Sequence, residues 1–261
     1  MQPKKVFIGK IPCVIWTPDD YVATKVYPWV VAFHGQGEIG DGSDAQLTSK
    51  IINSSNFANL LLYAEKYDII VVMPQLVLSL NNWIPGFTAD YINQAINYAQ
   101  SHYPVDINKM YLTGLSLGGG AVWQYITSSI ENANRVAAAI PVCGVPIVGG
   151  DWSLVAASNI PIWAFHAADD GTVGVAATRN QIAAVNKYNP QPEAKYTEYT
   201  TGNHYIWGRV YGDESIYKWM LQQVNNNVVT PPLPIPEPFK PNSRIIRADG
   251  SVEHVRIESI L

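Results

Sequence analysis

The sequence predicts an α/β fold, a doubly wound and mostly parallel sheet, and three observations carry that expectation. Short apolar, β-branched runs recur along the chain between turn signals. Helix-period segments separate them at the length of βαβ units. Several of the runs are apolar throughout, the mark of strands covered on both faces. In chain order, strands are expected over 6–8 and 13–16, then over 29–33, where Trp29-Val30-Val31-Ala32-Phe33 precedes a glycine-rich loop. They follow over 69–73, 110–113, 137–142, 162–165 and 195–199. Helices are expected over 57–66, with Phe57, Leu60, Leu61 and Ala64 on one face, and over 89–102, with Ile92, Ala95, Ile96 and Ala99 together. Further helices are expected after Ser116, over 178–188 and over 215–224. Such a sheet carries its functional residues at the C-terminal ends of its strands.

The chain has 261 residues, enough for one large domain with a substantial core. Hydrophobic residues make up 48% and charged residues 15%, and the net charge is −4. No run of Lys and Arg exceeds two neighbours, so the cationic footprint that grips a phosphate backbone is missing and nucleic acid is not an expected partner. No apolar run reaches the length of a membrane span, and the N-terminus leads into a strand rather than a signal-peptide core. The expected location is the cytoplasm, or the chain is a mature form of an exported protein. Cys13 and Cys143 each sit in an apolar stretch, which predicts two buried thiols in preference to a disulfide or a metal site.

Near residue 225 the character changes. Three asparagines are followed by Pro231-Pro232-Leu233-Pro234-Ile235-Pro236-Glu237-Pro238, a composition that favours extended polyproline geometry. Beyond it, apolar-alternating stretches flank Asp249-Gly250, a two-residue hairpin signal. The expected organisation is a catalytic domain over 1–227, a Pro-rich linker over 228–242 and a β-hairpin tail over 243–261. A hairpin alone is marginal in water. The tail is therefore expected to dock on the domain or on another copy of the chain, or to belong to a further module; the oligomeric state stays open.

Residues 114–118 read Gly114-Leu115-Ser116-Leu117-Gly118, after an apolar strand and before a helix-compatible segment. A serine between two glycines on a sharp strand-to-helix turn has its hydroxyl exposed, and side chains at the glycine positions would strike the neighbouring strand and helix. Ser116 is the candidate nucleophile. Downstream, the strand over 162–165 runs into His166-Ala167-Ala168-Asp169-Asp170-Gly171-Thr172-Val173, where Asp169 and Asp170 are the candidate carboxylates. His166 is expected to make a structural hydrogen bond. His204, in a loop after the last core strand, is the candidate base, since neutral imidazole can take a serine proton and return it to a leaving group. An oxyanion hole needs donors preset toward the developing charge. The amide of Leu117 is one candidate, and Gln36 or Gly37, in His34-Gly35-Gln36-Gly37-Glu38, is the other. Trp83, Trp152, Tyr205 and Trp207 follow strand ends, where they could line a substrate pocket or pack, with Trp207 the foremost candidate. Trp123 is expected in the core. No Cys, His and Asp cluster has metal-ligand spacing, so no catalytic metal is expected.

The glycine loop at 34–38, Met73-Pro74-Gln75 with Trp83, the run from Val105 through Gly119, and Gly202-Asn203-His204 with Trp207 together resemble the polyhydroxybutyrate-depolymerase-like and feruloyl-esterase-like branch of the α/β-hydrolases. That branch includes predicted peptidases and dienelactone-hydrolase-like proteins. The resemblance spans about residues 10–224; its spacing of carboxylate after His166 and before Val173 favours Asp170 over Asp169, and it departs from the family twice, with Ala167 for the usual Gly and Gly174 for the usual Pro. It implies a serine esterase working without cofactor on acyl esters, such as acetyl or feruloyl groups on plant polysaccharide. A serine peptidase of the same fold and a non-catalytic carbohydrate-binding or assembly protein are the alternatives.

Overall fold

The computed structural model describes residues 1–78 and 86–227, together with two short strands nearer the C-terminus. Eight strands form one sheet: β1 (Gln2–Ile8), β2 (Ile11–Thr17), β3 (Tyr27–Phe33), β4 (Ile70–Pro74), β5 (Val105–Leu115), β6 (Ala138–Val142), β7 (Trp163–Ala167) and β8 (Lys195–Tyr199). Their order is β1-β2-β4-β3-β5-β6-β7-β8. β1, β2 and β4 pair antiparallel; every other pairing is parallel. Helices α1 (Asp44–Leu47), α2 (Ala58–Lys66), α3 (Ala89–His102), α4 (Leu117–Ile126) and α5 (Ile130–Ala133) precede α6 (Ser153–Ala157), α7 (Ala176–Asn186), α8 (Trp207–Tyr211) and α9 (Glu214–Leu221).

The period-2 geometry of the strands divides their apolar residues between two cores. Cys13, Ile15, Trp29, Val31, Ile70, Val72 and Leu112 face α3 and α4. Val14, Trp16, Val30, Val71, Met73 and Tyr111 face the side covered by α2, α8 and α9. Continuous apolar strands are therefore buried on both sides, the doubly wound arrangement the sequence predicts.

Several elements run differently from expectation: β5 begins at Val105 rather than at residue 110, the short helices α1, α5 and α6 are absent from the expected set, and β1 and α8 differ as well. β1 begins at Gln2 rather than Val6 because its first residues are polar, exposed and paired only to β2. Pro3, Lys4 and Lys5 are residues that suit a sheet edge and discourage pairing with another chain. The segment around Trp207, read from sequence as a loop, is helix α8, with Trp207, Val210 and Tyr211 buried against the α2 side. Both cysteines are buried and free.

Contacts divide the chain into Met1–Val228 and Val229–Leu261. In the second part β9 (Arg244–Ile246) pairs antiparallel with β10 (Val252–His254), Val252 opposite Ile246. The predicted Pro-rich linker and the Asp249-Gly250 turn lie outside the described residues.

Leu112, fully buried at the centre of β5, carries packing on the α3 and α4 side. Leu112→Ala should lower unfolding free energy by about 2–5 kcal/mol, read as a fall in urea midpoint at unchanged slope.

Candidate active site

The site forms where β3, β5, β6 and β7 end. Ser116 follows β5 directly and has φ 56° and ψ −114°, a conformation that costs a non-glycine residue energy and needs its surroundings to hold it. Its N–H donates to Val142 O at 2.9 Å and its carbonyl accepts from Val145 N–H at 3.1 Å, tying the turn to the end of β6 and the residues after it. The flanking glycines are steric necessities. A Cβ on Gly114 would lie 2.3 Å from Gly118 O, and one on Gly118 would lie 2.0 Å from Phe33 O, both inside backbone that cannot yield.

His204 lies in the loop after β8. The Ser116 hydroxyl faces its Nε2 at 2.9 Å, and its Nδ1 lies 2.7 Å from Asp170 Oδ2. A carboxylate only accepts, so the Nδ1 proton belongs to His204, Nε2 is left free to accept, and the serine O–H donates to it. The side chain of Asp170 is wholly buried. Its Oδ1 accepts from the amides of Thr172 and Val173 at 2.8 and 2.9 Å. Burial alone would raise this carboxyl, but the hydrogen bonds from His204, Val173 and Thr172 outweigh it and hold Asp170 below the ordinary carboxylate value.

Asp169 has a separate task. Its Oδ1 accepts the amide of Asn203 at 2.8 Å, holding the loop one residue before His204. Asn203 sits at φ 52°. His166 is fully buried, with Nε2 2.9 Å from Val173 O and 3.1 Å from Asp170 Oδ2, and Nδ1 2.8 Å from Thr178 Oγ1. The carbonyl can only accept, which puts the proton on Nε2 and lets Nδ1 accept from Thr178. His166 thus makes structural hydrogen bonds and also braces the carboxylate that holds His204.

Leu117 opens α4, so its amide belongs to the first turn, whose N–H groups lack intrahelical acceptors. Gln36 and Gly37 lie in a 3-10 turn, Gln36–Glu38, in the loop after β3. A cavity of about 240 Å³ is lined by Gly35, Gln36, Gly37, Glu38, Asn56, Leu115, Ser116, Thr172, His204, Tyr205 and Trp207. Trp207 stands edge-on to His204, ring centroids 5.6 Å apart, and its Nε1 donates to Asn56 Oδ1 at 3.0 Å. Tyr205 is largely exposed at the rim. Leu117 lines a second cavity of about 200 Å³ with Phe87, Gln124, Val145 and Ile147.

Among the residues expected to line a pocket, Trp152 is a correction. It stands at the N-terminus of α6 and packs its ring against the buried Trp123 at 5.7 Å, among residues of the α3 and α4 core rather than along the Ser116 cavity. Apolar burial against Trp123 explains the tryptophan. Trp83 lies outside the described residues. Glu38 and Asn56 line the cavity but were not singled out from sequence. Asn56 lies outside every motif, and Glu38 looked like one more loop residue.

Cys143 Sγ, an Asp170 oxygen and a His204 nitrogen lie within 4.8 Å of one another. The Asp170 and His204 atoms are already committed to each other. Burial pushes the Cys143 thiol up to about 12, so binding a metal would require an unfavourable deprotonation. The trio therefore suits packing beneath the histidine better than metal ligation.

No protein-family model matches the sequence. The chain is similar to a bifunctional acetylxylan esterase/xylanase, XynS20E, of Neocallimastix patriciarum, 24% identical over 163 residues that make up 59% of this chain and 23% of that protein. In three dimensions it is similar to a thermostable esterase, with 28% identity and a TM-score of 0.67 over 85% of this chain and 63% of that one. It is similar also to esterase Est2 of the planctomycete Thermogutta terrifontis, with 18% identity and a TM-score of 0.57 over 84% of this chain and 89% of the other. The chain thus spans about a quarter of the curated relative and less than two thirds of the thermostable esterase.

His34, at the end of β3, accepts the Leu76 amide on Nε2 at 2.9 Å, which leaves Nδ1–H to donate to Gly35 O. Complete burial pushes it down to about 4. Between that value and the ordinary 6.5 the unfolded chain binds the extra proton. This contribution is therefore present above pH 6.5 and is lost as pH falls toward 4, on the order of 3 kcal/mol in all. Urea unfolding at pH 7 and pH 4.5 should show a smaller acid loss for His34→Asn than for wild type; equal losses would remove His34 from the acid response.

Proposed function

We propose that this chain, whose fold is similar to those of known esterases, is a serine carboxylic ester hydrolase of the α/β-hydrolase type acting through an acyl-enzyme, with acetyl or feruloyl esters of carbohydrate as its substrate class. The observation that carries this reading is the buried row from Asp170 through His204 to Ser116, with contacts of 2.7 and 2.9 Å, ending at a cavity. Ester over amide is favoured by the similarity to esterases, one of them an acetylxylan esterase/xylanase.

In this mechanism Ser116 Oγ attacks the ester carbonyl carbon while His204 Nε2 takes the hydroxyl proton. Asp170, acceptor of Nδ1–H, keeps the imidazole in the competent tautomer and stabilises the imidazolium. The amide of Leu117 and that of Gln36, or of Gly37, receive the negative charge on the carbonyl oxygen. Collapse breaks the bond to the alcohol oxygen, which leaves with the proton from His204, and Ser116 holds the acyl group. Water then loses a proton to His204 and attacks the acyl carbon, and Ser116 regains its proton as the acid departs. Trp207 and Tyr205 line the pocket as substrate-binding residues.

The test is hydrolysis of p-nitrophenyl acetate, p-nitrophenyl butyrate and methyl ferulate by purified wild type, Ser116→Ala and Asp170→Asn. Wild type should turn over at least one ester, Ser116→Ala should fall to background, and Asp170→Asn should lower kcat by roughly 10³–10⁴-fold. Turnover that survives Ser116→Ala would refute the assignment.

A further inference from the structure

One wall of the Ser116 cavity is a hydrogen-bonded chain that ends in a buried carboxyl group. Trp207 Nε1 donates to Asn56 Oδ1, and Asn56 Nδ2 donates to Glu38 Oε1. Glu38 is only 9% exposed yet lines the cavity. Its carboxyl is pushed above the usual glutamate range by burial, against opposing hydrogen bonds from Asn56 and the loop amides. Its other oxygen lies beside Gly35. A Cβ built on Gly35 would stand 3.4 Å from Glu38 Oε2 and 3.8 Å from Ser116 Cβ, so carboxylate and serine flank the same glycine. Among the described residues that line this cavity, Glu38 is the sole carboxylate outside the Ser116 row and none is Lys or Arg.

We propose that Glu38 is the specificity-determining residue of this cavity, accepting hydrogen bonds from the free hydroxyls of a neutral sugar that carries the scissile ester and rejecting esters with a carboxylate of their own. The inference rests on the ester-hydrolase reading above and names the group it recognises. The lining suits a sugar. Trp207 and Tyr205, ring centroids 5.0 Å apart and inclined at 61°, supply apolar surface for C–H faces. Glu38, with Asn56 holding it in place, supplies an acceptor for hydroxyls. A cation would call for a more continuous aromatic enclosure. An anionic group would meet Glu38 in a lining that holds no Lys or Arg, the cation that acts on Glu38 being Lys50, which is hydrogen-bonded to Ile39 O and is not among the lining residues.

The experiment compares four esters: a mono-O-acetylated methyl xyloside, the same compound with its free hydroxyls O-methylated, phenyl acetate and para-acetoxybenzoate. Wild type should prefer the free-hydroxyl sugar over its O-methylated form by roughly fivefold to tenfold in kcat/KM. Glu38→Gln removes the charge while leaving an oxygen for Asn56. It should lower the ratio of sugar acetate to phenyl acetate by a similar factor, mainly through KM, and raise the ratio of para-acetoxybenzoate to phenyl acetate several-fold. Equal changes on all substrates would assign Glu38 to holding the loop and overturn the proposal. So would equal rates on the two sugars in wild type, a comparison that decides the matter even if the variant fails to fold. If wild type hydrolyses phenyl acetate in a Ser116-dependent manner but shows no sugar preference, this proposal fails alone. If wild type hydrolyses none of the four yet turns over p-nitrophenyl butyrate or methyl ferulate, this proposal fails alone; if it turns over no ester of either set, both readings fail.

Discussion

The approach of the first turn of α4 to the ends of β3 and β5 is the constraint on which the rest of the site depends. Gly118 passes so close to Phe33 O, and Gly114 so close to Gly118 O, that a single added methyl group at either position would enter backbone atoms. This contact turns the chain sharply at Ser116 and supports its positive φ. It also sets the start of a helix, with its unpaired amides, next to the Ser116 hydroxyl. The strain is held by hydrogen bonds from Ser116 to Val142 and Val145, so β6 and its following turn share in fixing the serine.

Around that turn the polar groups are arranged so that each has one task. Asp170 uses one oxygen for two backbone amides and the other for two imidazoles, and it stays ionised although wholly enclosed. His34 does the reverse. Accepting a backbone amide while buried keeps it neutral, and it serves as a spacer between β3 and the segment after β4. Glu38 completes the set as a carboxylate that faces the cavity instead of another protein charge. The three groups show how burial can preserve, remove or expose charge within one crest, according to the donors each finds.

Much of this was legible in the sequence, for identifiable reasons. The strands announced themselves because burial on two faces demands runs such as Ile69-Ile70-Val71-Val72-Met73, and the turn at Ser116 because its glycines have no substitutes. Other features were hidden because they depend on distant partners. Nothing local to Trp152 distinguishes a ring that rests on Trp123 from one that lines a cavity. The helical character of 207–211 follows from burial against the α2 face, which a five-residue segment does not advertise. Asn56 gains its role by meeting Glu38, 18 positions away, and Trp207, 151 positions away. Such pairings are products of the fold and leave no trace in spacing.

The adjacent aspartates have a further consequence. Asp170 holds the His204 ring, and Asp169 holds the backbone amide one residue earlier. Two neighbouring side chains of one turn therefore grip the same histidine at its ring and at its root. The loops after β7 and β8 are thus fastened to each other at two points. Warming or mild denaturant should therefore not loosen the imidazole by degrees. Loops tied this way should part in a single local opening, so that a partly displaced average reports a mixture of closed and open molecules.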